Sequence, residues 1–353
     1  MRYILVLLLC INLQANIKEV YKKAYKSVVL IAFETTGHRS TIRADKEAAV
    51  GSGFILSENG LIATNNHVIR AAEGYVEDGE KVIFKIGDYT GVMLEAKVVF
   101  RHNLRDVAIL KIKDRIFKGY PKSRILDIAD SSKVEVGDPA LMVGSPPAYF
   151  NTLHTGIISG LHRFSMVQGN MIYDNMIQSN LNYSPGMSGS PLLNTEGQVI
   201  GINTMLVSDS LIGGQVDLAI PSNILSRCIH DYHKYGESKM SFLGIEVKMM
   251  TELYARKQNF KDRYGVLLSF VHRGHSAHKA GLRRNDRIIS INDRLVYNRT
   301  SLRGFLNEYT IGTQIKIKVQ RRNRVFDVHL KIGDLDSFKP PRRFRESRYF
   351  FLM

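Results

Sequence analysis

The sequence predicts a mainly-β chain of two folded units, and three observations carry that prediction. Short apolar runs recur from Gly51 onward with turn residues between them, the rhythm of barrels or sandwiches rather than of βαβ units. Glycine outnumbers proline 28 to 9, which suits many tight turns. A polar stretch from Asp231 to Lys239 interrupts the pattern before a second set of runs begins. The 353 residues suffice for two or three domains. With 44% hydrophobic and 23% charged residues, the chain is neither disordered nor fibrous.

Met1-Arg2-Tyr3, an apolar run from Ile4 to Leu13 and then Gln14-Ala15-Asn16 have the layout of a secretory signal over residues 1–15. A buried N-terminal strand and an uncleaved anchor are the alternatives. The run is well short of the ~20 residues a spanning helix needs. Cys10 lies inside it, and the residues before Cys10 fit a lipid-attachment motif poorly. Removal of the segment leaves only Cys228, which rules out an internal disulfide; an exported bacterial envelope protein without disulfides is unremarkable.

Ile17 to Val28 reads as a short amphipathic helix entering a strand over Ser27–Phe33, and Glu34 to Ala49 as a polar surface loop. Strands follow over Gly53–Ser57, Lys81–Ile86, Met93–Phe100, Val107–Ile112, Ala140–Val143, Met171–Ile177, Gln198–Ile202 and Val216–Ile220. Pro221-Ser222-Asn223 opens a helix with Ser222 as N-cap, and Asp231 to Lys239 is read as a linker. The second unit has strands near Ile245–Lys248, Gly265–Phe270, Arg287–Ile291, Gln314–Gln320 and Val325–Leu330, with helices near Ala277–Ala280 and Ser301–Tyr309. The tail from Gly333 holds Pro340-Pro341 and alternates arginines with aromatics. The resulting division is a signal over 1–15, a first domain over 16–236, a second over 241–332 and a basic, aromatic tail over 333–353.

The formal net charge is +16, which favours acidic partners. Residues 316–353 hold eleven Lys or Arg against four acids. No nucleic-acid-binding signature accompanies them, so nucleic acid is not expected as a partner. A solvated basic face is the plain reading, and attraction to an anionic membrane surface or polymer is the other.

Three segments carry chemistry: Thr64-Asn65-Asn66-His67-Val68, Arg105-Asp106-Val107 and Gly186-Met187-Ser188-Gly189-Ser190-Pro191-Leu192. Free serine is a poor nucleophile, and an adjacent imidazole can take its proton and pass it to a leaving amine. A buried carboxylate fixes the imidazole tautomer. Ser188, His67 and Asp106 fit these roles, in the chain order His, Asp, Ser of chymotrypsin-like enzymes. The glycines about Ser188 permit a turn that aims backbone N–H groups at one point, so Gly186, Met187 and Ser188 are the candidate oxyanion donors. Each residue alone has a plainer explanation, His67 as a polar residue, Asp106 as a turn cap, Gly-x-Ser-Gly as an ordinary loop; their order and contexts together point to catalysis. The chemistry calls for no metal and no cofactor.

The segments Gly51-Ser52-Gly53-Phe54-Ile55, Gly60-Leu61-Ile62-Ala63-Thr64-Asn65-Asn66-His67-Val68, Asp106-Val107-Ala108-Ile109-Leu110-Lys111, Val136-Gly137-Asp138, Thr155-Gly156-Ile157-Ile158-Ser159-Gly160 and Leu218-Ala219-Ile220-Pro221-Ser222 resemble the HtrA/Deg family of serine proteases. The resemblance covers nearly all of the chain after the signal. It implies a chymotrypsin-like double β-barrel protease domain with the triad in the cleft between the barrels, followed by a small α+β PDZ domain. It further implies an ATP-independent serine endopeptidase that degrades misfolded or damaged envelope proteins, built as a homotrimer or higher homo-oligomer. The location it implies is the periplasm or the exterior, with an inner-membrane anchor as the alternative.

The sequence departs from the family pattern around the nucleophile. Met187 and Ser190 stand where asparagine and glycine are usual, Asn180 where aspartate is common, and Gly144-Ser145-Pro146-Pro147-Ala148-Tyr149 replaces a Gly-Asn-Pro-Phe-Gly stretch. Met187, Asn180 and Ser190 motivate, as an alternative, a chaperone or peptide-sensing scaffold with weak proteolysis; the basic tail motivates a third reading, a surface adhesin. Gln178 to Met187 holds no acid, so preference for Lys or Arg at the cleaved position is not expected; the resemblance implies small or medium aliphatic side chains.

In the second unit, Gly274-His275-Ser276-Ala277-His278-Lys279-Ala280-Gly281-Leu282-Arg283-Arg284-Asn285-Asp286 resembles the core of an HtrA-type PDZ domain, with Asn285 where glycine is usual. Asparagine tolerates a left-handed turn. Phe242, Leu243, Gly244 and Ile245 are the candidate peptide-binding residues, offering backbone amides to a C-terminal carboxylate while the peptide adds as a strand.

Overall fold

The apolar runs of the first unit become two closed antiparallel barrels. The computed structural model describes residues 17–35, 51–74, 81–146, 149–167, 171–209, 214–257, 260 and 262–338; the signal over 1–15, most of the loop over 34–49 and the tail beyond Phe338 lie outside the described residues. By internal contacts the chain divides into one unit of residues up to Arg163 with Met176–Cys228, and another of Phe164–Asn175 with Ile229 onward.

A helix over residues 17–24 (α1) leads into the first barrel. Its strands are β1 (Val28–Thr35), β2 (Gly51–Ile55), β3 (Leu61–Asn65), β4 (Val82–Gly87), β5 (Met93–His102) and β6 (Val107–Ile112), with α2 (Asn66–Glu73) after β3. They close in the order β1-β2-β3-β6-β5-β4. Inward residues such as Val29, Ile31, Ile55, Ile62, Ile86 and Leu110 form its core. β2, β3 and the start of β6 are buried along their whole length, so they read as continuous apolar runs rather than as alternating ones.

The second barrel uses β7 (Pro139–Gly144), β8 (Thr152–Val167), β9 (Met171–Ser179), β10 (Pro191–Leu193), β11 (Val199–Asp209) and β12 (Gly214–Pro221), closed in the order β10-β11-β12-β9-β8-β7. Met142, Ile158, Ile177, Leu192 and Ile200 lie in its core.

α3 (Ser222–Tyr235) then runs five residues, Asp231 to Tyr235, into the stretch read as a linker. Asp231 there is fully buried, and its carboxylate accepts from the Lys239 amide at 3.1 Å, so a polar sequence is held by a hydrogen bond to a buried carboxylate. Ser222 is no side-chain cap: its hydroxyl donates to the Ala129 carbonyl at 2.6 Å.

The second unit adds β13 (Ser241–Phe242), β14 (Ile245–Met249), α4 (Glu252–Lys257), β15 (Val266–Val271), α5 (Ser276–Lys279), β16 (Arg287–Ile291), β17 (Arg294–Leu295), α6 (Arg299–Glu308), β18 (Gln314–Arg321), β19 (Arg324–Lys331) and β20 (Gly333–Asp334). The main sheet runs β14-β15-β16-β18-β19, so β14 is an edge, and β13 pairs with β20. α6 opens on a reciprocal capping box between Asn298 and Ser301 and buries Leu302, Phe305 and Leu306, the i, i+3, i+4 stripe of an amphipathic helix. Asn285 takes φ +71°, the left-handed turn its position calls for. Among the described residues no helix is long and apolar enough to cross a membrane.

Candidate active site

His67, Asp106 and Ser188 come together from three different elements of the first unit. His67 is the second residue of α2, directly after β3. Asp106 precedes β6 in a left-handed turn, φ +54°, and Ser188 lies in the loop between β9 and β10. His67 Nδ1 is 2.7 Å from Asp106 Oδ2, and His67 Nε2 is 2.8 Å from Ser188 Oγ. Because the carboxylate only accepts, Nδ1 carries the proton and Nε2 is left to accept from the serine hydroxyl.

Asp106 is tied down on every side. Its Oδ1 accepts from the His67 amide at 2.7 Å and its Oδ2 from the Thr204 hydroxyl at 2.8 Å. Its own carbonyl accepts from the Asn66 amide at 3.1 Å and from Asn65 Nδ2 at 3.1 Å. The His67 amide is one of the unpaired donors at the start of α2, so the carboxylate also satisfies a helix N-terminus. Asp106 is 1% exposed while the His67 side chain is 35% exposed: the carboxylate is out of water and the imidazole is within reach of a substrate.

The nucleophile loop is clamped to β2. The Ser52 amide donates to the Ser188 carbonyl at 2.8 Å, and the Ser52 hydroxyl donates to the Gly186 carbonyl at 2.8 Å while accepting from the Ser145 amide at 2.9 Å. Gly189 has φ +87°, and a Cβ there would sit 2.1 Å from the Ser52 carbonyl oxygen, so only glycine fits. Gly186 is also left-handed, φ +91°. Among the described residues, no carbonyl accepts from the Gly186 or Ser188 amides. Met187 corrects the sequence reading: its amide donates to the Ser184 carbonyl at 3.1 Å, closing a turn, and is not an oxyanion donor.

The departures around Ser188 fit without strain. Met187 is fully buried in the second barrel's core. Ser190 lies outside the left-handed region and its hydroxyl accepts from Asn203 Nδ2 at 3.1 Å. Asn180 Oδ1 accepts from the Ile157 amide at 2.8 Å. Four neighbours of the site carried no chemical role in the sequence: Ser52, Tyr183, Thr204 and Asp217. Only Ser52 stood inside a motif, Gly51-Ser52-Gly53; Asp217 reaches the site through strand pairing and Thr204 through the bulge where the β11–β12 register shifts. Tyr183 lies five residues before the nucleophile, its hydroxyl hydrogen-bonded to Ser188 Oγ. Among the described residues no group of three or more His, Cys, Asp or Glu is placed to hold a metal.

In the second unit, Phe242, Leu243 and Ile245 bury their side chains, so only their backbone can serve a ligand. The Phe242 ring packs on His275 and Phe338 at 5.1 and 4.8 Å between centroids. The carbonyls of Leu243 and Gly244 accept from the Ala277 and His272 amides at 2.9 and 2.8 Å. Among the described residues no carbonyl accepts from the Leu243 or Gly244 amides, and β14 begins one residue later as an open sheet edge.

Residues 51–202 match the trypsin-like peptidase domain, and residues 241–332 match the PDZ domain. The chain is similar to a probable periplasmic serine endoprotease, DegP-like, of Chlamydia trachomatis, 32% identical over 308 residues, 86% of this chain and 58% of that one. A protein of the same description from Rickettsia prowazekii is 33% identical over 291 residues, 82% and 54% of the two chains. The chain thus spans a little over half the length of these curated relatives. Among solved structures, the HtrA-type protease AlgW with a tripeptide superposes with a TM-score of 0.63 at 24% identity, over 93% of this chain and 98% of that one. The serine endoprotease from Yersinia pestis superposes with a TM-score of 0.52 at 23% identity, over 90% and 97%. These likenesses establish the chymotrypsin-like double barrel followed by a PDZ fold, and with the sequence relatives they place the chain: it belongs to the HtrA/Deg family, in which a trypsin-like peptidase domain is joined to a PDZ domain.

Proposed function

We propose that the chain is a serine endopeptidase of the bacterial envelope, acting on misfolded or damaged proteins without ATP. The unbroken hydrogen-bonded line from Asp106 through His67 to Ser188 carries this reading. Ser188 Oγ attacks the scissile carbonyl as His67 Nε2 takes its proton, and Asp106 holds the imidazole and stabilises its charged form. The tetrahedral oxyanion accepts from the Gly186 and Ser188 amides; one such donor is typically worth ~3–4 kcal/mol in serine proteases. His67 then protonates the leaving amine, and water repeats the cycle on the acyl-enzyme.

The peptidase domain runs over residues 16–236 and the peptide-binding domain over 241–332. In the latter a C-terminal carboxylate is received by the Leu243 and Gly244 amides while the peptide pairs with β14, main-chain bonds giving affinity. The names of the relatives support a periplasmic location, reached through the signal over residues 1–15, and the family supports a homotrimer or higher homo-oligomer.

Digestion of a reduced, alkylated and therefore unfolded protein by wild type and by Ser188→Ala tests the assignment. Wild type is expected to degrade it and the variant to leave it intact. Equal behaviour, with aggregation of the unfolded protein suppressed by both, would replace the protease with the chaperone or peptide-sensing scaffold.

A further inference from the structure

Tyr183 stands on the nucleophile. Its side chain is 9% exposed, and its ring belongs to the second barrel's core with Ile177, Met187, Leu192 and Ala219. Its hydroxyl is hydrogen-bonded to Ser188 Oγ and lies 3.4 Å from the Thr204 carbonyl oxygen. That carbonyl is itself 3.3 Å from Ser188 Oγ, so the phenol closes a three-cornered contact beside the reacting atom.

The loop that carries Tyr183 is held from behind. Asp217, 4% exposed on β12, accepts from the Tyr183 amide through Oδ2 at 3.1 Å. The amides of Asn182 and Leu181 face the same carboxylate more loosely, and Oδ1 keeps no close hydrogen bond. A hinged or floppy loop could swing its tyrosine aside when a substrate enters. One tied to a neighbouring strand and packed into a barrel core presents the phenol as a fixed wall.

A scissile carbonyl must come within about 3 Å of Ser188 Oγ to react. In a chymotrypsin-like site the side chain on its N-terminal side (P1) then enters the primary pocket, between the loop before the nucleophile and the strand that carries Thr204. The Tyr183 hydroxyl stands between those two walls, on Ser188 Oγ and 3.4 Å from the Thr204 carbonyl oxygen. We propose that Tyr183 is a specificity-determining residue that closes the primary pocket to all P1 side chains but those of Gly, Ala and Ser. The inference rests on the endopeptidase reading and narrows the small-or-medium aliphatic range that the family resemblance implies. A Val, Leu or Phe side chain has to displace a buried ring and break its bond to Ser188, whereas Ala fits beneath it and Ser adds a hydroxyl the phenol can meet. Burial raises the phenol's pKa to about 12, so it stays neutral and gives a cationic P1 side chain nothing to pair with.

The test is kcat/KM of the full chain on peptides identical except at P1, for wild type, Tyr183→Phe and Tyr183→Ala, with Ser188→Ala as blank and thermal melts as the check on folding. Wild type is expected to prefer Ala and Ser over Val, Leu and Phe by tenfold or more, the scale on which pockets discriminate by methylenes. Tyr183→Ala should raise Leu relative to Ala by about tenfold or more, and Tyr183→Phe should lose the Ser preference yet still reject Leu. If Tyr183→Ala does not fold, Tyr183→Leu keeps the core apolar and shortens the reach to Ser188, with the same expected direction. Ser188-dependent cleavage with an unchanged P1 profile in a folded variant overturns the inference alone. So does wild-type preference for Leu or Phe, or for Lys or Arg abolished by Asp217→Asn, which would make that carboxylate the specificity residue. Absence of any Ser188-dependent cleavage overturns the endopeptidase reading and this inference with it.

Discussion

The amide of Ser52 donates to the carbonyl of Ser188 at 2.8 Å, so the proposed nucleophile, which belongs to the second barrel's sequence, is held by a strand of the first. The Ser52 hydroxyl extends the same hold to the Gly186 carbonyl at 2.8 Å. Two of the three residues read as oxyanion donors are therefore oriented by one buried serine.

Ser52→Ala follows directly. The Gly186 carbonyl and the Ser145 amide each lose a buried partner, which costs about 1–3 kcal/mol of stability. The Gly186–Met187 peptide also loses one of the two bonds that fix its orientation, the other being from the Met187 amide to the Ser184 carbonyl. The kcat should fall by about tenfold or more, toward the loss seen when an oxyanion donor is removed, while KM stays nearly constant. A variant whose KM rises and whose kcat is untouched would show that Ser52 shapes binding instead.

Thr204 gives a sharper comparison. Its hydroxyl donates to Asp106 Oδ2 at 2.8 Å, the same oxygen that receives His67 Nδ1. Thr204→Val keeps the shape and deletes the donor, leaving part of a buried carboxylate unsatisfied at a cost of about 1–3 kcal/mol. Turnover should drop with it, and Thr204→Ser should recover most of the rate. Equal rates for the valine and serine variants would remove Thr204 from any role in orienting Asp106.

The contrast between these residues and the triad shows what a linear sequence can carry. His67, Asp106 and Ser188 each sit in a local context that the chemistry itself demands: a helix start, a turn, a glycine-flanked loop. The strands were legible wherever an apolar run had turn residues at both ends. β3 escaped notice because its apolar part, Leu61 to Ala63, is only three residues long before polar Thr64, Asn65 and Asn66 carry the chain into α2. β8 escaped because polar His154, Ser159, His162 and Arg163 dilute its pattern over 16 residues. Thr204 and Asp217 were invisible for a different reason. Asp217 takes its place from register, opposite Ser179 on β9 and Leu206 on β11, and Thr204 from the bulge at which that register shifts; both are decided by the closed barrel rather than by neighbours in sequence. Met187 was misassigned because proximity to Ser188 says nothing of which way a peptide plane faces.

The peptide-binding proposal has its own glycine. Gly244 holds φ +81°, and a Cβ there would lie 2.4 Å from His275 Cβ. Gly244→Ala must shift either the loop or α5, whose first residue follows His275, and this displaces the Leu243 and Gly244 amides from any carboxylate. A fluorescent peptide with an apolar C-terminus should bind wild type and lose at least tenfold in affinity to the variant by anisotropy. The same peptide with an amidated C-terminus should bind wild type weakly. Undiminished binding of the amidated peptide would mean that the loop does not read a carboxylate.

A last prediction concerns the first barrel's stability in acid. Asp88 and Arg124 form a nearly buried pair, Nη1 to Oδ2 at 3.0 Å, with the guanidinium also donating to the Lys26 carbonyl at 2.6 Å and lying over the Tyr89 and Tyr120 rings. Burial pushes the Asp88 carboxyl up, but the Thr90 hydroxyl and amide and the Arg124 guanidinium outweigh it and hold the group below its ordinary value of 3.8. A carboxylate depressed in the folded state adds stability that is fully present above its unfolded pKa, about 3.9, and that is lost as pH falls through the lower folded value. Denaturant midpoints followed by far-ultraviolet circular dichroism, since the chain has no tryptophan, should therefore fall more steeply between pH 5 and pH 3 for wild type than for Asp88→Asn. At pH 7, Arg124→Met should cost about 3 kcal/mol, the scale for stranding one partner of a buried pair. Parallel acid profiles for wild type and Asp88→Asn would show that the pair contributes nothing to the pH dependence of folding.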